Sequence, residues 1–356
     1  MYQRVLITGG AGFVGASLAI RLKEEFEGMD VYAFDNLRRR GSELNLGALA
    51  AAGVKFVHGD VRSLDDLESV PAAPQLMIDC SAEPSAQAGY GGSPAYVIQT
   101  NLTGCYCCLE LVRRTKADLI FLSTSRVYPF TALNQLRYRE EETRFTLLDE
   151  QTLPGASSQG ISEEFPLIGA RSIYGMTKLA SELMVEEYVY AYGIRAAVTR
   201  FGLLSGPRQM AKSDQGVIAL WAAAHYYGKP LSYIGFGGTG KQVRDVLHID
   251  DFCDLIVDQI RRLDLYAGPP RNAGGGLANS LSLVETTRLC EAIFNRKIKM
   301  GSVIENRPAD VASYITDHRA ISAVNGWKPR RGPEKVLQDI REWMEREDRS
   351  LRPLLA

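Results

Sequence analysis

A glycine-rich turn between the first apolar run and the first helical segment constrains this chain more than any other feature. It reads Thr8-Gly9-Gly10-Ala11-Gly12-Phe13-Val14-Gly15. Glycine permits a tight turn close to a ligand, and the N-terminus of the following helix offers N–H groups and a favourable dipole to an anion. Asp35 ends the next apolar run 20 residues after Gly15, where a carboxylate can bond a ribose hydroxyl. The combination predicts a dinucleotide-binding site.

The predicted cofactor set comprises the turn, the helix start, the acid and the end of the third apolar run: Gly9, Gly12, Phe13, Val14, Gly15, Asp35, Asn36, Asp60 and Val61. Asp35 favours NAD, because a carboxylate repels the 2′-phosphate of NADP. The arginines at 38–40 leave NADP open, since an arginine near this position can accommodate that phosphate. We expect NAD.

Apolar runs alternate with helical patterns along the first 200 residues. The runs lie at 5–7, 31–34, 54–57, 76–78, 119–122 and 196–199, with helical patterns between them such as 16–25 and about 100–114. Beyond residue 200, helical patterns lie at about 216–227, 250–262, 281–294 and 334–346. Continuous apolar strands separated by helices indicate a parallel sheet covered on both faces. We therefore predict an α/β protein with a doubly wound, Rossmann-type parallel sheet and a smaller C-terminal α/β substrate domain.

The predicted NAD-binding domain spans 1–200 plus about 240–262, and the predicted substrate domain spans 201–239 plus 263–356. Residues 129–168 are weakly patterned and rich in charge. Such a long segment is usually either functional or disordered.

Composition excludes several classes of protein. Lys and Arg number 41 and Asp and Glu 42, a net charge of −1 that argues against a basic nucleic-acid binder. No run of 18 apolar residues and no secretion signal is evident, so we expect a cytoplasmic protein without a membrane span. The six cysteines and four histidines lack zinc-site spacing, which favours reduced thiols and no metal.

A second motif, Tyr174-Gly175-Met176-Thr177-Lys178, places a phenol and an ammonium on one helix face. A nearby cation favours the phenolate, which suits a general base that removes a hydroxyl proton during hydride transfer. The run 119–122 ends about 50 residues earlier in Ser123-Thr124-Ser125. Ligands bind at that edge of a doubly wound sheet, where a hydroxyl can bond a reacting oxygen.

These motifs together resemble the extended short-chain dehydrogenase/reductase family over essentially the whole chain. The resemblance rests on Thr8–Gly15, Asp35-Asn36-Leu37, Thr124 with Val127-Tyr128, and Tyr174–Lys178. It implies that Thr124, Tyr174 and Lys178 form the catalytic set, with Tyr174 as base and Lys178 also binding the cofactor ribose. It also implies a nucleotide-sugar substrate.

The residues after Thr124 distinguish branches of this family. Sugar dehydratases usually continue Thr-Asp-Glu, and nucleotide-glucuronate decarboxylases usually carry Glu where this chain has Arg126. The absence of an acid here favours epimerisation, although another residue could supply one. Longer stretches are similar to the 2-epimerases of the CDP-paratose and CDP-tyvelose type: 142–146, 214–216, 240–248 and 279–283. The alternatives are a UDP-hexose 4-epimerase and a non-catalytic NAD-binding sensor.

Candidate substrate residues follow from charge and from this resemblance. Arg244 and Arg307 are candidates for the diphosphate, because guanidinium groups match phosphate oxygens. The other candidates are Arg208 and Gln209 for the ribose or base, and Asp214 and Gln215 for the sugar. The arginines could equally form ordinary ion pairs, and Asp214 could equally cap the following helix.

Other positions depart from the family pattern or concern assembly. Pro129 replaces the usual glycine, 80–84 departs from the usual run beside the cofactor, and 200–204 lacks an asparagine common in sugar-nucleotide members. Long apolar helices near 100–114 and 176–192 either are buried within one chain or pair subunits into a homodimer or homotetramer.

Overall fold

The computed structural model describes residues 1–211 and 216–356. The strands are β1 (Arg4–Thr8), β2 (Asp30–Asp35), β3 (Lys55–His58), β4 (Leu76–Asp79), β5 (Asp118–Thr124), β6 (Tyr138–Glu140), β7 (Phe145–Leu147), β8 (Ala156–Ser157), β9 (Gly160–Ile161), β10 (Ala196–Phe201), β11 (Leu203–Ser205), β12 (Leu231–Ile234), β13 (Val243–His248), β14 (Arg271–Ala273), β15 (Ser280–Ser282), β16 (Met300–Val303) and β17 (Ser313–Tyr314).

The α-helices are α1 (Phe13–Glu25), α2 (Leu46–Ala51), α3 (Leu64–Glu68), α4 (Ala95–Ile98), α5 (Gly104–Thr115), α6 (Phe130–Leu133), α7 (Ile173–Tyr192), α8 (Val217–Tyr227), α9 (Ile249–Arg261), α10 (Leu263–Tyr266), α11 (Leu283–Phe294), α12 (Arg319–Asn325) and α13 (Pro333–Leu355). A π-helical turn, Gln99–Thr103, leads into α5. No helix in the described ranges is both long enough and apolar enough to cross a membrane.

A seven-stranded sheet forms the centre of the fold in the described residues, in the order β14-β10-β5-β4-β1-β2-β3. The pairs β1–β2, β2–β3, β1–β4 and β4–β5 are all parallel. The chain therefore winds outward from β1 in both directions, which confirms the predicted doubly wound α/β fold. All six apolar runs predicted as strands are strands of this sheet.

Burial explains why the strands read as continuous apolar runs. Val5, Leu6 and Ile7 of β1 are fully buried, as are Leu76, Met77 and Ile78 of β4. Strands covered on both faces bury both alternating sets of side chains, so their sequences show no period of two. The carboxyl ends of β1 and β5 consequently carry the glycine turn and Thr124 at the same edge of one parallel sheet.

The structure divides into two compact units. The first comprises Met1–Thr124, Ile173–Arg200 and Phe252–Arg271, and the second Ser125–Ser172, Phe201–Asp251 and Asn272–Ala356. The first unit thus excludes residues 125–172, which the sequence analysis assigned to the NAD-binding domain. The assignment of binding roles to the two predicted domains remains a prediction.

The second unit has its own sheets and core. Strands β11, β13, β15 and β17 form one sheet and β12 pairs with β16, while α8, α11 and α13 contribute to a separate apolar cluster that includes Trp221 and Trp343. Residues 129–168, which carried no clear pattern, contain α6 and two short antiparallel pairs, β6–β7 and β8–β9. Short strands of two or three residues leave too little periodicity to be detected in a sequence.

Candidate active site

The glycine turn of the first unit leaves no space for side chains. Gly9 has a φ of +63°, and the Gly12 N–H donates to the Gly9 carbonyl at 3.0 Å. A Cβ atom on Gly15 would lie 2.2 Å from that same carbonyl oxygen. Helix α1 then begins at Phe13 without a side-chain cap on Gly12, so its first N–H groups lack intrahelical acceptors. This cradle of bare backbone fits the diphosphate of a dinucleotide.

Asp35 lies at the end of β2 with its carboxylate oriented by backbone groups. It accepts N–H bonds from Leu37 at 2.8 Å and from Ala11 at 3.1 Å. Burial raises the pKa of Asp35, and the backbone N–H donors act against that rise. The Ala11 bond ties the acid to the glycine turn, so Asp35 and the turn are positioned together.

The predicted residues beside Asp35 form a second polar group. Asp60 accepts bonds from Asn36 at 3.0 Å and from two guanidinium nitrogens of Arg62 at 2.9 and 2.6 Å. The Arg62 guanidinium holds the pKa of Asp60 well below its usual range. Arg38 lies 4.0 Å from the centroid of the Tyr96 ring, a cation–π contact.

The three predicted catalytic residues all belong to the first unit. Thr124 ends β5, and Tyr174 and Lys178 lie one turn apart near the start of α7. Their exposed fractions are 9%, 9% and 4%. The Lys178 Nζ lies 3.9 Å from the centroid of the Phe121 ring, so the ammonium is held over an aromatic face. The arrangement provides a phenol, a cation and a hydroxyl in a largely water-excluded environment.

A buried cluster ties α7 to the end of β5. Glu182, one turn beyond Lys178, accepts bonds from Arg200 Nε at 3.0 Å and Nη2 at 2.7 Å. The hydroxyl of Ser123, the residue before Thr124, also donates to the Glu182 carboxylate. Charge-assisted bidentate bonds are among the strongest in proteins. This cluster fixes the helix that carries Tyr174 relative to the strand that carries Thr124.

The second unit contains the described substrate candidates. Arg244 on β13 donates to the Asp310 carboxylate and to the Val311 carbonyl, both at 2.8 Å, and burial lowers its pKa to about 10. Arg307 begins a turn in which the Asp310 N–H donates to its carbonyl at 3.3 Å. The loop that begins at Arg307 therefore also anchors the Arg244 guanidinium.

The remaining substrate candidates are Arg208, Gln209, Asp214 and Gln215. Arg208 has a φ of +71°. The Gln209 amide bonds locally, donating to the Leu204 carbonyl at 3.1 Å and accepting from Ser205 at 2.8 Å. Asp214 and Gln215 lie outside the described residues.

One group of possible metal ligands occurs in the described ranges: His248, Asp250 and Asp339. The His248 Nε2 lies 3.0 Å from the Asp339 carboxylate, and its Nδ1 accepts the Asp250 N–H at 3.0 Å. The Lys335 ammonium lies 2.6 Å from Asp339. Hydrogen bonds thus occupy both ring nitrogens, and the prediction of no metal site stays a prediction.

Sequence reasoning missed two basic residues. Arg200 was noted only within a departure from the family pattern, although it pairs with Glu182 inside the first unit. The sequence analysis used Arg126 only to note that no acid follows Thr124. In the second unit its guanidinium donates to the Ala309 carbonyl at 3.2 Å. Burial of a charged side chain marks Arg200, and a contact with a residue distant in the chain marks Arg126; both signals are visible only in the fold.

Comparisons with known proteins found a matching family model, related sequences and a similar solved structure. A family model described as "NAD dependent epimerase/dehydratase family" matches residues 5–268. A CDP-paratose 2-epimerase of Salmonella typhi is 30% identical, covering 96% of this chain and 99% of that protein. A dTDP-glucose 4,6-dehydratase of Streptomyces niveus is 26% identical, covering 96% and 92%. A Thermus thermophilus UDP-glucose 4-epimerase, solved with NAD, superposes with a TM-score of 0.76 at 23% identity, covering 96% and 99%; this likeness shows the fold.

Proposed function

The chain belongs to the NAD dependent epimerase/dehydratase family, and from this premise we propose that it is a nucleotide-sugar 2-epimerase of the CDP-paratose and CDP-tyvelose type. The observation that carries the choice of reaction is the sequence Thr124-Ser125-Arg126, which supplies no acid beside the catalytic hydroxyl. Loss of water from a sugar needs such a proton donor. The 30% identity with the Salmonella typhi enzyme supports the C2 position and the cytidine nucleotide.

NAD is the cofactor of this family, and the residues of the first unit fit it. The backbone cradle at Gly9, Gly12 and Gly15, with the start of α1 at Phe13 and Val14, would hold the diphosphate. Further binding residues in this proposal are Asp35 for the ribose, Asn36, Asp60 and Val61 for the adenine end, and Lys178 for the second ribose.

NAD, when bound, would supply the hydride acceptor and donor for oxidation and re-reduction of the sugar carbon. Tyr174, as phenolate, removes the proton of the C2 hydroxyl, and the Lys178 ammonium one turn along favours that phenolate. Thr124 hydrogen-bonds the same oxygen and fixes its position. The sugar passes through a 2-keto form, presents its other face, and receives the proton back from Tyr174. The low exposure of Thr124 and Tyr174 supports a site that excludes water from this ketone.

The proposed substrate grip lies in the second unit. Arg244 and Arg307 would bind the diphosphate of the nucleotide sugar, because guanidinium forks match phosphate oxygens. The shared loop that follows Arg307 and anchors Arg244 supports this pairing. Arg208 and Gln209 are proposed for the ribose or base, and Asp214 and Gln215 for the sugar.

We also propose that the protein is cytoplasmic and forms a homodimer or larger assembly. Helices α5 and α7 expose apolar side chains, with Tyr106 at 49%, Leu183 at 56% and Tyr190 at 90% exposure. Exposed apolar surface of this kind marks interaction sites. Light scattering of the purified protein and of a Leu183→Glu/Tyr190→Glu variant tests the assembly. If these helices pair subunits, the variant should have a lower molar mass in solution than the wild-type protein.

The proposed reaction is tested by proton NMR of the purified protein with CDP-paratose in D2O, without added NAD. Formation of CDP-tyvelose without deuterium at C2 is expected, because the hydride is retained on bound cofactor. Deuterium at C2 would mean inversion by proton exchange and would overturn the roles of Thr124 and Tyr174. Turnover of a UDP-hexose at C4 in place of CDP-paratose would establish the 4-epimerase, and no turnover across CDP-, UDP-, GDP- and ADP-sugars would favour a sensor.

A further inference from the structure

Two guanidinium groups are anchored on three consecutive residues of the second unit. Arg126 Nη1 donates to the Ala309 carbonyl at 3.2 Å. Arg244 Nη2 donates to the Asp310 carboxylate and to the Val311 carbonyl, each at 2.8 Å. The segment 309–311 therefore anchors two like charges on neighbouring residues.

The two guanidinium groups influence each other electrostatically. Burial lowers the pKa of Arg244, and the positive charge of Arg126 lowers it further, whereas the carboxylates of Asp310 and Asp245 raise it. Two like charges in a partly buried region repel each other by more than they do in water. The Arg244 and Asp310 side chains are only 20% and 18% exposed, so solvent screens this repulsion incompletely. The carboxylates of Asp310 and Asp245 offset part of this repulsion, and a bound anion would offset more of it.

The segment is shaped to hold the two cations. Ala309 has a φ of +56°, a left-handed conformation that is uncommon for alanine. Asn134 donates to the Asp310 carbonyl at 2.9 Å and accepts the Ala312 N–H at 3.2 Å. The Val311 N–H bonds the Asp310 carboxylate at 2.9 Å. Strained backbone persists where its surroundings fix it, and it clusters at ligand sites.

We infer that Arg126 is a substrate-binding residue that contacts the diphosphate of a nucleoside diphosphate sugar together with Arg244. The inference rests on the proposed function and extends it to a residue that the sequence analysis did not assign to substrate binding. A diphosphate offers several anionic oxygens, and two adjacent guanidinium forks can each engage a different phosphate. Arg126 also follows Thr124 by two residues in the chain.

The test measures binding of CDP, CMP and cytidine to the full-length, NAD-loaded protein by titration calorimetry. Arg126→Met should weaken CDP about 10- to 100-fold, the usual effect of losing a charge-assisted bond, and weaken cytidine by less than about twofold. Arg126→Lys should fall between wild type and Arg126→Met, since it keeps the charge without the fork. The matched control is Arg139→Met, an exposed arginine of the same unit paired with Glu141, which should bind CDP like wild type.

The outcomes separate this inference from the proposed function. If wild type binds CDP and Arg244→Met weakens it while Arg126→Met does not, Arg126 is no diphosphate ligand and the inference fails alone. Equal weakening of CDP and cytidine by Arg126→Met, with an unchanged melting temperature, would likewise refute a phosphate contact. If wild type binds no CDP, UDP or dTDP at all, the proposed function fails together with the inference.

Discussion

Replacement of Arg200 by methionine tests how the buried cluster around Glu182 supports the first unit. The substitution keeps the apolar length of the side chain and removes the guanidinium that donates to Glu182 from both Nε and Nη2. The Glu182 carboxylate would retain the bond from Ser123. A charge buried among protein atoms would then lack its counter-charge.

The magnitude follows from the burial of the pair. The Arg200 and Glu182 side chains are 6% and 4% exposed, so water cannot replace the lost bonds. Breaking a buried ion pair by removing one partner costs about 3–5 kcal/mol, a large part of the roughly 5–15 kcal/mol that stabilises a typical protein. A Glu182→Leu/Arg200→Met double variant should recover most of that loss, because removing both charges leaves neither uncompensated.

The assay is urea unfolding followed by circular dichroism, with Arg139→Met as the exposed control. We expect Arg200→Met to lower the midpoint strongly, the double variant to restore most of it, and the control to match wild type. A midpoint for Arg200→Met equal to that of the control would refute the reasoning. So would a double variant that is as unstable as the single one.

Three further predictions concern catalysis, cofactor binding and pH. Tyr174→Phe should retain bound NAD, measured by absorbance after denaturation, while turnover measured by chromatography falls about 100-fold or more; near-normal turnover would remove Tyr174 from the mechanism. Gly15→Ala should purify with little NAD because its Cβ would lie 2.2 Å from the Gly9 carbonyl oxygen, whereas Gly47→Ala, with open space, should keep it. Hydrogen bonds from the Arg113 guanidinium lower the pKa of Glu110 to about 2 from 4.5. Its stabilisation is thus complete above pH 4.5, and the difference in urea midpoint between wild type and Glu110→Gln should shrink as the pH falls toward 2; a difference independent of pH would contradict this.

The parts of the fold that sequence reasoning predicted are those encoded locally. The strand β1 is a continuous apolar run because both of its faces are buried, and the glycine turn after it leaves no room for a side chain at Gly15. The spacing of Tyr174 and Lys178 needs only one helical turn. Each of these features depends on residues close together in the chain, so a pattern could reveal it.

The features that sequence reasoning missed depend on contacts between distant residues. Arg126 and Ala309 are 183 positions apart, and Ser123 and Glu182 are 59 apart. No periodicity relates such positions, because the sheet topology brings them together. The short strand pairs within residues 129–168 were missed for a different reason, because strands of two or three residues show no detectable periodicity.

Helix α7 carries Tyr174, Lys178 and Glu182 at intervals of four residues. In the proposal Tyr174 is the base and Lys178 favours its phenolate, and Glu182 anchors the helix through Arg200. A single inserted residue between Lys178 and Glu182 would rotate the helix beyond it by about 100° and lengthen it by about 1.5 Å. The base would then lose its alignment with the carboxylate that anchors the helix. Changes in chain length are therefore excluded from 174–182 and tolerated in exposed turns such as the one near Gly91 and Gly92, where added atoms meet open space. For protein engineering, the spacing within residues 174–182 has to be kept, and insertions or fusions belong in exposed loops.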